Sequence, residues 1–107
     1  MPRQPEHPDL DDVRLDRLFF ALGDRARLRI VSVLCDRAEH SREEFDVAVG
    51  PSTLSHHMKI LREAGLTRHR YEGTHCRISL RADTLARFPA ALQGALEALA
   101  AERHEEA

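Results

Sequence analysis

From Leu10 onward the apolar residues return at helical spacing. Leu10, Val13, Leu15, Leu18, Phe19 and Leu22 form one stripe, closed by Gly23. Asp24 stands where a helix needs a side-chain acceptor for its unpaired N–H groups. Leu28, Ile30, Val31, Val33 and Leu34 then supply a second stripe, predicting a helix to about residue 38. Ser41 with Glu44 three positions later is a capping-box pattern. It predicts a short third helix, pinned by Phe45 and Val47 and closed by a turn over 46–50. Pro51 suits a first helical turn, because the N–H it lacks would have no partner there. The fourth helix, expected over 51–64, puts Leu54, Met58 and Leu61 on one face with His57 beside them. Ser52, Thr53, Ser55, His56, Lys59 and Arg62 fall on the others, and Gly65 stops the helix.

After Gly65 the period changes to alternation. Residues 66–71 and 75–80 read as two strands around Glu72-Gly73-Thr74, a hairpin signal. Helical spacing resumes at Asp83 and carries Leu85, Phe88, Leu92, Ala95, Leu96 and Leu99, interrupted only by Pro89. Pro2, Pro5 and Pro8 mark residues 1–9 as a loose tail, and residues 102–107 as a polar end that frays. The expectation is a single domain over 10–101, mainly α with a small β-hairpin, in the order α-α-α-α-β-β-α.

Composition narrows the function. The 107 residues are 42% hydrophobic and 32% charged, enough for one modest core. No apolar run approaches the ~20 residues of a membrane span, and the proline-rich, acidic start is no secretory signal. The chain is expected to work in the cytoplasm, away from membranes. Cys35 and Cys76 are too far apart for a CxxC motif and read as reduced thiols, Cys35 beside a buried stripe and Cys76 facing inward with Ile78. A net charge of −2 argues against nucleic acid only if it is evenly spread. Residues 1–51 carry a net −3 and residues 82–107 another −3. Residues 52–81 carry +4, from Lys59, Arg62, Arg68, Arg70, Arg77 and Arg81 against Glu63 and Glu72. A basic middle between acidic ends suits a DNA-facing surface.

A short helix, a tight turn and a second helix with a small-polar and basic outer face is the arrangement that enters a major groove. Ser52, Thr53 and Ser55 are short enough for close approach, and their hydroxyls suit phosphates or base edges. His56 adds a donor or acceptor, and Lys59 and Arg62 neutralise phosphates further along. Arg68, Arg70 and Arg77, with His69 and His75, are expected to project from the hairpin toward the DNA backbone or the neighbouring minor groove.

The stretch Leu22-Gly23-Asp24-Arg25-Ala26-Arg27-Leu28-Arg29-Ile30 resembles the opening motif of the ArsR/SmtB family of transcriptional regulators. Residues 52–66, Ser-Thr-Leu-Ser-His-His-Met-Lys-Ile-Leu-Arg-Glu-Ala-Gly-Leu, resemble that family's recognition-helix signature, and the likeness continues through residues 70–74. The resemblance implies a winged helix-turn-helix homodimer on double-stranded operator DNA, usually a repressor released by an effector. It also implies that the first and last helices build the dimer interface, here through Leu15, Leu18, Phe19, Leu85, Phe88, Leu92, Leu96 and Leu99. The last stripe independently has more apolar length than a small monomer is expected to cover.

The metal sites of the family have no match. Residues 41–49 contain no cysteine or histidine, and Asp83-Thr84-Leu85 has Leu where that motif needs His. Seven histidines leave a transition metal such as Zn or Ni as the one cofactor to consider. However, His56 and His57 diverge on their helix, and His75 and Cys76 point to opposite faces of a strand. His57 is expected in the core. No phosphate loop, nucleophile–base set or carboxylate pair supports an enzyme. The alternative from another class is a winged-helix interaction or dimerisation module without DNA binding.

Overall fold

A computed structural model describes residues 3–106, with side chains as far as residue 102. Helix α1 (Leu15–Leu22) begins later than its apolar stripe, because Leu10–Asp12 form a separate 3-10 turn and Val13 and Arg14 are extended. Helix α2 (Arg25–Leu34) opens on Asp24, whose carboxylate accepts from the Arg27 N–H at 3.1 Å. It ends short of residue 38. There Asp36 accepts from the Ala38 N–H at 2.8 Å, offering the backbone a turn in place of the helix, and Arg37 takes a φ of 67°. The third helix is only a 3-10 turn, Arg42–Glu44, but its capping box forms, with the Glu44 carboxylate accepting from the Ser41 N–H at 2.6 Å.

Helix α3 (Pro51–Glu63) follows with Pro51 in its first turn. Strands β1 (Thr67–Glu72) and β2 (His75–Leu80) pair antiparallel, Thr67 opposite Leu80 and Glu72 opposite His75, around a tip where Gly73 has a φ of 63°. The last helical stretch is two helices, α4 (Ala82–Arg87) and α5 (Pro89–Glu106). Proline at 89 disfavours helical backbone at the residue before it, and Phe88 sits at φ −122°, ψ 55°. The expected frayed end is instead helical to Glu106, and Glu102 pairs with Arg25 of α2 at 3.2 Å. The tail expected over residues 1–9 is likewise bound over residues 4–8, where it hydrogen-bonds to the hairpin, to α3 and to Arg81. Among the described residues no helix is long and apolar enough to cross a membrane.

Nearly every element feeds one core: Leu18, Ile30, Leu34, Leu61, Leu66, Ile78 and Leu92 are fully buried. This corrects the expected interface in part. Leu18, Leu92 and Leu99 are buried inside the protomer, and Leu85, Phe88 and Leu96 pack partly buried against its core. The apolar stripe of α5 is thus largely used within its own chain. Among the described residues the large apolar side chains left exposed are on α1: Leu15 at 41%, Phe19 at 49% and Phe20 at 56%.

Gly65 makes the turn from α3 into β1 with a φ of 88°, and a Cβ built there would lie 2.5 Å from Val13 Cγ2. Backbone conformation and space both demand glycine. Gly65→Ala should cost about 2–3 kcal/mol, from the left-handed backbone and the overlap together, seen as a melting temperature lower by about 10 °C. Val13→Ala removes both Cγ atoms, so the double variant should lose less than the sum of the single losses. Strict additivity would mean that the contact does not set the cost.

Candidate nucleic-acid interface

The roll of α3 about its axis decides which side chains face outward. His57, Met58 and Leu61 are buried, whereas Ser52, Thr53, Ser55, His56 and Lys59 are exposed, as the helical period requires. Beneath the helix lies Arg27, only 7% exposed. Its Nε donates to the Ala21 carbonyl at 2.7 Å and its Nη2 to the Phe20 carbonyl at 3.2 Å, which also accepts from the Gly23 N–H, so the guanidinium closes the end of α1. The guanidinium also sits 5.5 Å from the centre of the Phe20 ring. Its Nη1 lies 3.1 Å from His57 Nδ1. A guanidinium only donates, so Nδ1 accepts and the ring proton sits on Nε2, facing the Asp24 carboxylate 3.8 Å away. His57 is the core histidine expected from sequence, and it keys α3 to the α1–α2 corner.

A second brace comes from Arg42, which hydrophobic periodicity overlooks. Its Nη2 donates to Ser55 Oγ at 3.0 Å and to the Pro51 carbonyl at 3.3 Å. With that oxygen already accepting, the Ser55 hydroxyl is free to donate, so it favours an acceptor such as a phosphate oxygen or a purine N7. The available signal was an arginine beside the capping Ser41, one short turn ahead of the hydroxyl-rich helix. The turn bearing Arg42 is itself clamped. His40 lies between Glu44, 2.9 Å from Nδ1, and Asp36, 2.8 Å from Nε2, and its backbone bridges to Ile78 of β2. Two carboxylates on two ring nitrogens favour the imidazolium and raise the pKa of His40, the Asp36 hydrogen bond most.

Register places Arg68, Arg70 and Glu72 of β1 on one face of the hairpin, with His75, Arg77 and Ser79 of β2 opposite them. His69 does not project as expected. Alternation turns it inward, where it is 4% exposed and hydrogen-bonded to Thr67 Oγ1 at 2.7 Å. Burial above all, with Arg62 and His7 nearby, pushes its pKa down to about 3, so the ring is neutral. The arginines meet carboxylates. Arg70 forks onto Glu39, with Nη2–Oε1 at 2.7 Å, and also reaches Glu72, while Arg77 lies 3.8 Å from Glu72. Arg68 is exposed, Lys59 pairs loosely with Glu63 at 3.7 Å, and Arg62 is half-buried, donating to the Glu6 carbonyl at 3.1 Å.

Cys76 is half-buried and faces inward, and burial raises its thiol pKa. Cys35 is exposed at the end of α2, where its thiol donates to the Val31 carbonyl at 3.3 Å. Among the described residues no three His, Cys, Asp or Glu side chains converge to hold a metal ion.

Residues 22–70 match the family model for a helix-turn-helix domain. Over 92 residues the chain is 39% identical to YceK of Bacillus subtilis (strain 168), an uncharacterized HTH-type transcriptional regulator; the match spans 83% of this chain and 89% of the relative. Among solved structures, M. tuberculosis Rv0081 superposes with a TM-score of 0.61 at 30% identity, covering 82% of this chain and 90% of that one. A possible transcriptional regulator for arsenical resistance superposes with a TM-score of 0.61 at 26% identity, covering 83% and 97%.

The His40 clamp has a pH signature. A histidine whose folded pKa is raised stabilises fully below its ordinary value of 6.5, and the gain is lost as pH rises through the raised value. Melting temperature should therefore fall on the alkaline side of 6.5 in the native chain, and His40→Gln should flatten that limb. Parallel profiles for the two proteins would remove His40 as the cause.

Proposed function

The chain belongs to the helix-turn-helix transcriptional regulators, and from that premise we propose that it is a homodimeric repressor reading duplex operator DNA with α3 and released by an effector. DNA binding goes with the family. The repressor role and release by an effector rest on the resemblance to ArsR/SmtB regulators.

One observation carries the choice of residues: Ser52, Thr53, Ser55, His56 and Lys59 share the outer face of α3, with Ser55 oriented by Arg42. Close approach needs short side chains at the front of the helix, and that is where they stand. The hairpin is the wing. Arg68 meets the DNA backbone directly, whereas Arg70 and Arg77 must first exchange Glu39 and Glu72 for phosphate, which lowers the worth of each contact. The exposed apolar surface of α1 supports pairing of two copies through Leu15 and Phe19, and the resemblance adds the partly buried Leu85, Phe88 and Leu96.

Binding to the DNA upstream of the protein's own gene, followed by fluorescence anisotropy, should weaken linearly in log salt, because bound phosphates release counterions. Lys59→Ala should weaken all sequences alike and reduce that slope by about one, whereas Ser55→Ala and His56→Ala should alter base preference. A folded dimer that shows no salt-dependent binding would instead favour an interaction module. Phe19→Glu should convert dimer to monomer in sedimentation equilibrium and weaken operator binding with it; an unchanged dimer would exclude the α1 face.

A further inference from the structure

Residues 4–8 run along the outer edge of β1, and each contact is specific. The Gln4 side chain imitates a neighbouring strand: its Oε1 accepts from the Tyr71 N–H at 2.8 Å and its Nε2 donates to the Tyr71 carbonyl at 3.1 Å. His7 Nε2 accepts from the His69 N–H at 2.9 Å. Between them, the Glu6 carbonyl accepts from Arg62 of α3, and beyond them the Pro8 carbonyl accepts from Arg81 Nη1 at 2.6 Å. One short segment is thereby tied to the recognition helix, to the Tyr71 and His69 backbone groups at the edge of β1 and to the start of α4.

We propose that this segment fixes the angle between wing and recognition helix, with His7 and Arg62 as positioning residues for DNA binding. The inference rests on the DNA-binding reading above, and it moves Arg62 from phosphate contact to anchor. The inner face of the hairpin is seated in the core through His69, Ile78 and Leu80 and its β2 edge is held by His40, so the strap supplies the hydrogen-bonded link from the β1 edge to α3.

The latch works only with a neutral imidazole. His7 Nε2 must accept, and protonation there would abolish the bond to the His69 N–H. It would also add a cation facing Arg62 of α3, Arg68 and the buried His69 ring of β1, and Arg81, which is itself paired with Asp83. Burial first, then Arg62 and Arg81, hold the pKa of His7 below the ordinary value. A surface recess of about 410 Å³ lined by His7, Arg68, Arg81, Ala82 and Asp83 leaves the ring open to water. The strap is therefore held at neutral pH and released as pH falls through the lowered value of His7. The sign is diagnostic: histidines protonated beside phosphate would strengthen DNA binding in acid, and release of the strap weakens it.

Amide hydrogen exchange on the full chain tests the latch without DNA. The Tyr71 and His69 amides should be protected in the native protein. Gln4→Ala should lower protection of the Tyr71 amide, and His7→Ala that of the His69 amide, about ten-fold, with Ile78 unchanged because His40 holds it. Native-like protection in both variants would overturn the strap. In the anisotropy assay, His7→Ala and Arg62→Ala should bind DNA about five-fold more weakly at an unchanged salt slope, the loss expected for about 1 kcal/mol of misorientation. His7→Gln keeps an acceptor that does not titrate, so it should bind like the native protein and lose the acid-side fall. A slope reduced by about one in Arg62→Ala would return that residue to phosphate contact, and unchanged affinity in both alanine variants would overturn the positioning role. If the native protein bound no DNA, the functional reading would fail while the exchange result still decided the strap.

Discussion

A buried guanidinium organises this protein. Arg27 is taken out of water beneath the recognition helix, and a charge in that position is tolerated only when its donors are used. Two go to the carbonyls that close α1 and one to His57 of α3, with the face of Phe20 alongside. Apolar packing alone would hold α3 against the core while permitting some rotation about its axis. A bond from His57 Nδ1 to a fixed arginine does not. The outward direction of Ser52, Ser55, His56 and Lys59 is in this sense a consequence of where Arg27 is buried.

The wing faces a related constraint. Two strands alone leave both edges open, with N–H and C=O groups available to any other strand. Here both edges are occupied. His40 pairs with Ile78 through both backbone bonds on the β2 side, and Gln4 and His7 cover Tyr71 and His69 on the β1 side. One cover comes from the turn ahead of α3 and the other from the segment ahead of α1. The hairpin is thus tied to the helical body at both edges.

Charge along the chain overstates charge in space. The basic stretch 52–81 suggests a strongly cationic surface, but folding brings Glu39 onto Arg70 and Asp83 onto Arg81, while Glu72 bridges Arg70 and Arg77. On the proposed reading, such a surface would steer duplex DNA only moderately and leave more of the discrimination to the hydroxyls and imidazole of α3.

The sequence by itself determined the elements with strong local signals. Asp24, the Ser41–Glu44 capping box, Pro51 and Gly65 fixed helix ends through short-range hydrogen bonds and backbone sterics, and the 3.6-residue period of α3 separated its buried from its exposed side. Strand alternation gave the inward direction of Cys76 and Ile78. Only the tertiary structure decided what depends on contacts distant in sequence. It showed that His69 lies inside, that the stripe of α5 is covered by its own chain, that Arg70 is held by Glu39, and that residues 4–8 are bound. A proline-rich polar segment looks unstructured when read locally, because the groups that order it, the Tyr71 and His69 amides and the side chains of Arg62 and Arg81, lie more than fifty residues away.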